Sequence, residues 1–325
     1  MKVLVYGAGV IGGYLAHVLH TAGNDVTLLA RGAWKEQLQQ EGLAIRHQLQ
    51  CKDTVDQLRV IGELDEQPYD AVFAVMQHQQ MWGVLDDLSR ANTGLVVLVG
   101  NNMSAAEMEQ RIQAKAATPR TVLFGFQGTA GRRENGKIIS IHWNDGSMSL
   151  GCLHGEPSGE IKQKIEKMFT GTAYRLTWTR DMEAWYRCHL TLILPACYLC
   201  YATGCDLRKA ARRQRKLLLD AAGEACEFLK AMGTPILPEG DDEYYRPGTK
   251  LTMFAAMMFV MAKTVIGDLV ASDHCRHAVM EMEGLDAAFA ELRHQRPDIA
   301  MPAWDTLRSE MPDWKTIHAT YDMAR

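Results

Sequence analysis

Six residues near the N-terminus, Gly7, Ala8, Gly9, Val10, Ile11 and Gly12, spell G-x-G-x-x-G and carry the clearest chemistry in the chain. Glycine at the first position permits a tight turn. Glycine at the second lets the main chain approach a pyrophosphate with no Cβ in the way. Glycine at the third allows close helix–strand packing. The free N–H groups and partial positive charge of a helix N-terminus would then face the phosphates. The motif follows the apolar run "KVLVY" and opens a helical pattern, which is the context it requires; a glycine turn with no ligand is the plainer alternative. The second chemical group is Arg31. Proteins that bind the unphosphorylated dinucleotide place a carboxylate at the end of the second strand, for the ribose hydroxyls. Here "VTLLARG" ends the strand, and no acid occurs between Thr27 and Lys35. A guanidinium fork suits a 2′-phosphate and can stack on adenine, and Lys35 is spaced to assist. The expected cofactor is NADP(H); a surface arginine with no ligand is the alternative.

The elements that would hold these groups alternate. "KVLVYGAG" reads as a buried strand, "IGGYLAHVLHTAG" as a helix stopped by Gly23, and "DVTLLA" as a second strand, which together make a βαβ unit. Helix "WKEQLQQEGL", strand 69–76, helix "MWGVLDDLSR", strand 94–101, helix "SAAEMEQRIQAKA" and strand 121–126 continue the rhythm. The fold class is α/β: an N-terminal Rossmann domain with a doubly wound parallel sheet, followed by an all-helical C-terminal domain. "KIISIHW" and "SMSLGCL" flank "NDG" (144–146), which predicts a hairpin. A helix "EIKQKIEKMFTGT" and a strand "YRLTWT" follow. Helices are predicted over 181–203, 207–233, 249–270 and 272–294, with a loop at 234–248. The predicted domains are 1–179 and 180–325.

The 325 residues suit two domains, and the net charge of −4 argues against a nucleic-acid partner. The basic runs "RRQRK" (212–216) and "GRR" (131–133) read as solvated faces. The N-terminus has the wrong pattern for a signal peptide, and the longest apolar run, 190–204, is too short for a membrane span and contains Pro195. A cytoplasmic protein with no membrane partner is expected. The eight cysteines then read as reduced thiols. "CYLC" (197–200) reads as two buried thiols rather than a metal or redox pair, and no metal site is expected. The methionine-rich stretch 253–263 reads as a buried core helix, with a homodimer face as the alternative.

Residues 1–32, followed by a helix and "EGLAI", together with "DAVFAVM", "LVVLVGNN" and "MPAWDTL", resemble the ketopantoate reductase family along essentially the whole chain. The resemblance is most specific over 1–45 and 69–108. It implies an active site in the cleft between a Rossmann and a helical domain, and hydride transfer from NADPH to a 2-keto acid or similar carbonyl. "MPAWDTL" matches the family's final helix. Asn101 matches the asparagine of the family's Gln-Asn-Gly signature, beside nicotinamide and substrate, and Asn102 stands where the family has glycine. An amide there can orient a carbonyl; an asparagine that caps the next helix is the structural alternative. The family's strand-three lysine falls at Met76, where this chain has no cation.

The family's catalytic lysine falls at Arg187. A guanidinium stays protonated and is a poor general acid, but it can hold a carboxylate or stabilise an oxyanion. Thr191, at i+4 on the same face, and Pro195 stand where the family has further polar residues. The family's substrate-side glutamate corresponds to Glu281. His277, four residues earlier, is predicted to share its face, giving an oriented imidazole suited to general acid catalysis; a surface salt pair is the alternative. His274 lies a turn earlier. His189, two residues from Arg187, is predicted to point elsewhere.

Three functions fit. The first is an NADPH-dependent reductase of a small 2-keto acid, with Asn101 positioning the substrate, Arg187 holding it, and His277 or Glu281 supporting proton delivery. The second is an opine- or imine-type reductase, which needs less of a proton donor. The third is a catalytically silent NADP-binding sensor or partner protein.

Overall fold

The computed structural model describes residues 1–321, in two compact units, Met1–Met182 and Glu183–Arg325. In the first unit, β1 (Lys2–Tyr6), α1 (Val10–Thr21) and β2 (Asp25–Leu29) form the βαβ unit. Val3, Leu4 and Val5 are fully buried, as befits a central parallel strand covered on both faces. After α2 (Gly32–Glu41) come β3 (Leu43–His47), β4 (Lys52–Asp56) and β5 (Arg59–Ile61). Then follow β6 (Ala71–Val75), α3 (His78–Met81), α4 (Leu85–Arg90), β7 (Leu95–Val99), α5 (Ala105–Lys115) and β8 (Thr121–Gln127). The last elements are β9 (Ala130–Glu134), β10 (Lys137–Ile141), β11 (Ser147–Gly151), α6 (Gly159–Met168) and β12 (Arg175–Trp178).

The larger sheet has the order β12-β11-β8-β7-β6-β1-β2-β5, and it is parallel from β5 through β8. β11 adds antiparallel to β8. The chain leaves β1 toward β2 on one side and returns to β6 on the other, so the strand order reverses between β1 and β6. Ligands of open α/β sheets sit at that switch point, beyond the carboxyl ends of the strands.

A second sheet, β4-β3-β10-β9, was not foreseen. Its strands are short and polar, such as "KDTVD", and carry little apolar signal. The expected hairpin across "NDG" is corrected here. The chain does turn, with Asn144 and Gly146 at φ 49° and 93°, but β10 pairs with β9 and β3 while β11 joins the larger sheet. The turn chemistry specifies a reversal, not a partner. Burial chooses the partner: Ile138 of β10 packs against Gly13 of α1, and Met148 and Leu150 of β11 enter the large-sheet core. The true hairpin turns on Asn135-Gly136, both at positive φ.

The second unit contains α7 (Met182–Ala202), α8 (Arg212–Ala231), α9 (Thr249–Ala262), α10 (Val265–Gly267), α11 (Asp273–His277), α12 (Val279–His294), α13 (Pro302–Ser309) and α14 (Trp314–Tyr321). Its core stacks Phe289 on Trp304, with ring centroids 4.6 Å apart, and sets Tyr198 edge-on to Trp304. The buried Asp286 carboxylate accepts from Tyr198, Arg308 and Trp314. Glu224 caps α13 by accepting from the N–H groups of Ala303 and Trp304, both at 3.0 Å.

Three helical expectations change. The helix predicted over 249–270 ends at Ala262, and that over 272–294 is broken at Ala278 after a π-turn at Asp268–Ser272. The "MPAWDTL" helix is followed by α14, so it is not the last. The methionine-rich stretch is not a buried core helix: no residue of α9 is buried, and Met253 is 67% exposed. Six cysteines, including Cys197 and Cys200, are buried. Among the described residues no single helix is long and apolar enough to cross a membrane; α9 and Val265–His277 pass together by length and composition but are bent by 86°.

Candidate functional site

The glycine loop closes the end of β1. Gly7 has φ 116°, and a Cβ there would lie 2.3 Å from the Val75 carbonyl oxygen. A Cβ on Gly12 would lie 1.9 Å from the Gly7 oxygen. Gly9 differs: nothing lies within 4 Å of its Cβ position. The loop is thus packed on two sides and open at the third, where a phosphate would approach. Gly9 is the N-cap of α1 and offers no side-chain cap, so Val10, Ile11 and Gly12 begin the helix with N–H groups uncovered by a side chain. The Trp34 indole donates to the Ala8 carbonyl at 2.8 Å and ties the loop to α2. Arg133, read from sequence as part of a solvated run, covers that indole at 4.9 Å. Gln127, from β8, donates to the Ile11 carbonyl at 3.2 Å.

Arg31 is the exposed N-cap residue of α2 at the tip of β2. Its guanidinium donates to the Tyr6 hydroxyl at 2.7 Å, and Tyr6 donates to the Asp87 carboxylate at 3.0 Å. Burial and then the Asp87 hydrogen bond push the Tyr6 phenol up against the pull of Arg31, so the hydroxyl stays protonated. Lys35 lies with its stem along Gly62, 3.2 Å from that residue's Cβ position. Met76 bridges the two loops: its methyl lies 3.7 Å from the Gly7 Cβ position, and its carbonyl 2.8 Å from that of Gly100.

Beyond β7, Gly100 takes the unusual backbone, at φ 145°, and Asn102 does not. Asn102 forms an Asx turn just ahead of α5, accepting from the Ser104 N–H at 2.9 Å, and donates to Met108 Sδ. The Asn101 carboxamide is left without a hydrogen bond among the described residues and is 8% exposed. Two residues past Met76, His78 is half-buried with its Nε2 shielded from solvent, and burial lowers its pKa. Sequence reasoning passed over it, as it did Tyr6, Trp34, Asp87 and Gln127. Only Tyr6, a polar-tipped residue ending an apolar strand, left a signal.

In the helical unit, the half-buried Arg187 donates to the Glu183 carboxylate one turn back. Thr191 is buried; it donates to the Cys188 carbonyl at 2.8 Å and accepts from the Cys226 thiol. Its hydroxyl is committed to packing α7 on α8 rather than to a shared face with Arg187. Pro195 is buried inside α7.

The predicted His277–Glu281 spacing is corrected. Ala278, at φ −128° and ψ 34°, interrupts the helix between them, so i, i+4 geometry does not apply. His277 is exposed, with Nδ1 at 2.8 Å from the Asp273 carbonyl. The buried Glu281 meets His274 instead, at 3.5 Å from Nε2. His189 neighbours His274: burial and then that ring lower its pKa to about 3, and its own ring stacks on Trp185 at 5.1 Å. The helical unit therefore gathers His189, His274 and Glu281.

The sheet order and the glycine loop together define a Rossmann dinucleotide-binding unit. Within it, residues 3–155 match the family model "Ketopantoate reductase PanE/ApbA", and the chain carries a domain of that family. The chain is 25% identical over 288 residues to the "Uncharacterized oxidoreductase YkpB" of Bacillus subtilis, covering 86% of this chain and 91% of the relative. It is 33% identical over 167 residues to a 2-dehydropantoate 2-reductase of Mesorhizobium japonicum, 51% of this chain and 41% of that one. Among solved structures, D-mandelate dehydrogenase with NADH and anilino(oxo)acetate superposes with a TM-score of 0.70 at 16% identity, over 99% of each chain.

Proposed function

We propose that this protein is an NADPH-dependent reductase of a small, ketopantoate-like 2-keto acid. The observation that carries the reading is Arg31, a cation anchored on Tyr6 where a ribose-binding carboxylate would otherwise stand. The residues present fit a dinucleotide: Gly9 leaves open space at an uncapped helix start, and Arg31 retains donors for a 2′-phosphate. When bound, the nucleotide supplies the hydride. Asn101, free of other side-chain partners, orients the carbonyl; Arg187 holds the carboxylate or the developing oxyanion. His274, held by Glu281, replaces His277 as the proton donor of this reading. The N-terminal unit binds the nucleotide, and the helical unit supplies substrate contacts and, through the exposed apolar side of α9, the face of a homodimer.

The test is steady-state oxidation of NADPH and NADH with a panel of 2-keto acids. Turnover that favours NADPH supports the proposal; turnover only when an amine is added favours an imine-type reductase. That second reading draws on Arg187, since a guanidinium is a poor proton donor and an iminium substrate arrives already charged. Nucleotide binding with no turnover on any substrate points to a silent sensor.

A further inference from the structure

A cavity of about 920 Å³, open to solvent on one side, is lined only by residues of the helical unit. It lies between α7, α8, α9 and the segment running into α11. Its walls are mainly apolar: Leu192 and Ala196 from α7, Leu219 from α8, and Ala255 and Met258 from α9. Such a volume is at the upper end of the range for small-molecule sites. Helix α9 forms one wall; Phe254 packs against Tyr244 and Tyr245, but none of the helix's residues is fully buried. An apolar chamber of this size would gain stability from an apolar occupant that completes the burial of that wall.

The charges around the chamber have one sign left over. Asp220 pairs with Lys216 at 2.5 Å. Glu224 is spent on the two N–H groups of α13. Glu227 and Asp242 are paired with Lys230 and Arg246. His274 faces Glu281. Arg215 has no acid partner among the described residues; it donates to the Ala210 carbonyl, and its guanidinium lies 5.0 Å from the Phe259 ring centroid. Arg212, also in the lining, makes no hydrogen bond or ion pair among the described residues. The run "RRQRK", read from sequence as a solvated face, thus sets two uncompensated guanidinium groups beside an apolar chamber.

We infer that this chamber is a binding site for a monomeric long-chain carboxylate, with its aliphatic tail between α7, α8 and α9 and its head on Arg212. The head accepts charge-assisted hydrogen bonds from Arg212, and the tail replaces solvent against the leucine, alanine and methionine walls. His274 lines this chamber and is also the proton donor of the reductase reading, but the head and tail contacts named here do not use it, and a binding titration without nucleotide or turnover reads this site alone.

Isothermal titration of the full chain tests it, using dodecanoate and hexadecanoate below their micelle concentrations, with dodecanol as the uncharged match. Saturable binding of both carboxylates at one site per chain is expected. Arg212→Gln should weaken carboxylate binding about tenfold or more and leave dodecanol unchanged. Ala255→Phe, which projects into the chamber from the loosely packed α9, should abolish binding of all three while the far-UV circular dichroism spectrum is retained. Three results overturn the inference: no saturable binding to the wild type, carboxylate affinity indifferent to either substitution, or association only with phosphatidylglycerol vesicles.

Discussion

Arg31 and Tyr6 meet at 2.7 Å across the carboxyl ends of two neighbouring parallel strands, and the phenol passes the contact on to Asp87 at 3.0 Å. A guanidinium that would otherwise sweep through solvent is held at the tip of the second strand. Replacing Arg31 with alanine should raise KM for NADPH about 10- to 100-fold, the scale of lost charge-assisted hydrogen bonds, and leave KM for NADH nearly unchanged. Tyr6→Phe should give a smaller shift in the same direction. Equal losses with both nucleotides in steady-state kinetics would sink the assignment of Arg31 to the 2′-phosphate.

Gly9 and Gly12 should respond to alanine in opposite ways. Gly9 has φ −69° and open space around its Cβ position, so Gly9→Ala should fold with a stability change under about 0.5 kcal/mol yet bind dinucleotide poorly. Gly12→Ala drives a methyl to 1.9 Å from the Gly7 oxygen, and should cost about 1–3 kcal/mol or more in urea unfolding. A Gly9→Ala protein with unimpaired nucleotide titration would show that the open side of the loop is not the phosphate side.

The corrected histidine pairing makes a discriminating pair of variants. His274→Gln should lower kcat about 100-fold and flatten the acid-base limb of the pH–rate profile, while His277→Gln should leave both nearly unchanged. The reverse result would return the proton to His277.

Acid should destabilise the N-terminal unit through His47. Burial, then the neighbouring His17 and His142 rings, lower its pKa from 6.5 to about 4. As pH falls, the unfolded chain takes up this proton before the folded one. The stabilising contribution is therefore whole above about pH 6.5, declines between 6.5 and 4, and is lost below. The total is on the order of 3 kcal/mol. His142 is lowered too and adds with the same sign. Urea unfolding at several pH values should show a shallower slope for His47→Gln than for the wild type; identical slopes would exclude His47 as the source.

Asp286 should be the most costly carboxylate to delete in the helical unit. It is 4% exposed, and Arg308 beside it offsets its burial and holds its carboxyl below the usual range. Asp286→Ala leaves Tyr198 and Trp314 without their acceptor and should cost about 3–5 kcal/mol. Thermal unfolding should rank it well below Asp286→Asn.

What could be read from the sequence followed apolar continuity. "KVLVY", "DVTLL", "AVFAV" and "LVVLV" are short apolar runs buried along nearly their whole length and bounded by turn residues, so the parallel sheet and its glycine loop were legible. The second sheet was not, because β4 and β9 bury none of their residues fully and pair through backbone hydrogen bonds that leave no pattern in side-chain type. Asn101 and Asn102 look alike in sequence; only the backbone after Gly100 decides which one makes the Asx turn that leads into α5. The link of His274 to Glu281 depends on a π-turn and a single broken residue, Ala278, which periodicity cannot register.

The parallel pairing of Ile45 with Ile138 joins segments separated by most of the first unit. A ribosome must therefore synthesise β10 before β3 and β4 can close over Gly13 of α1. Nascent chains arrested short of that point carry the nucleotide loop but leave one side of its helix bare. The completed unit should therefore become protease-resistant in one late step rather than strand by strand.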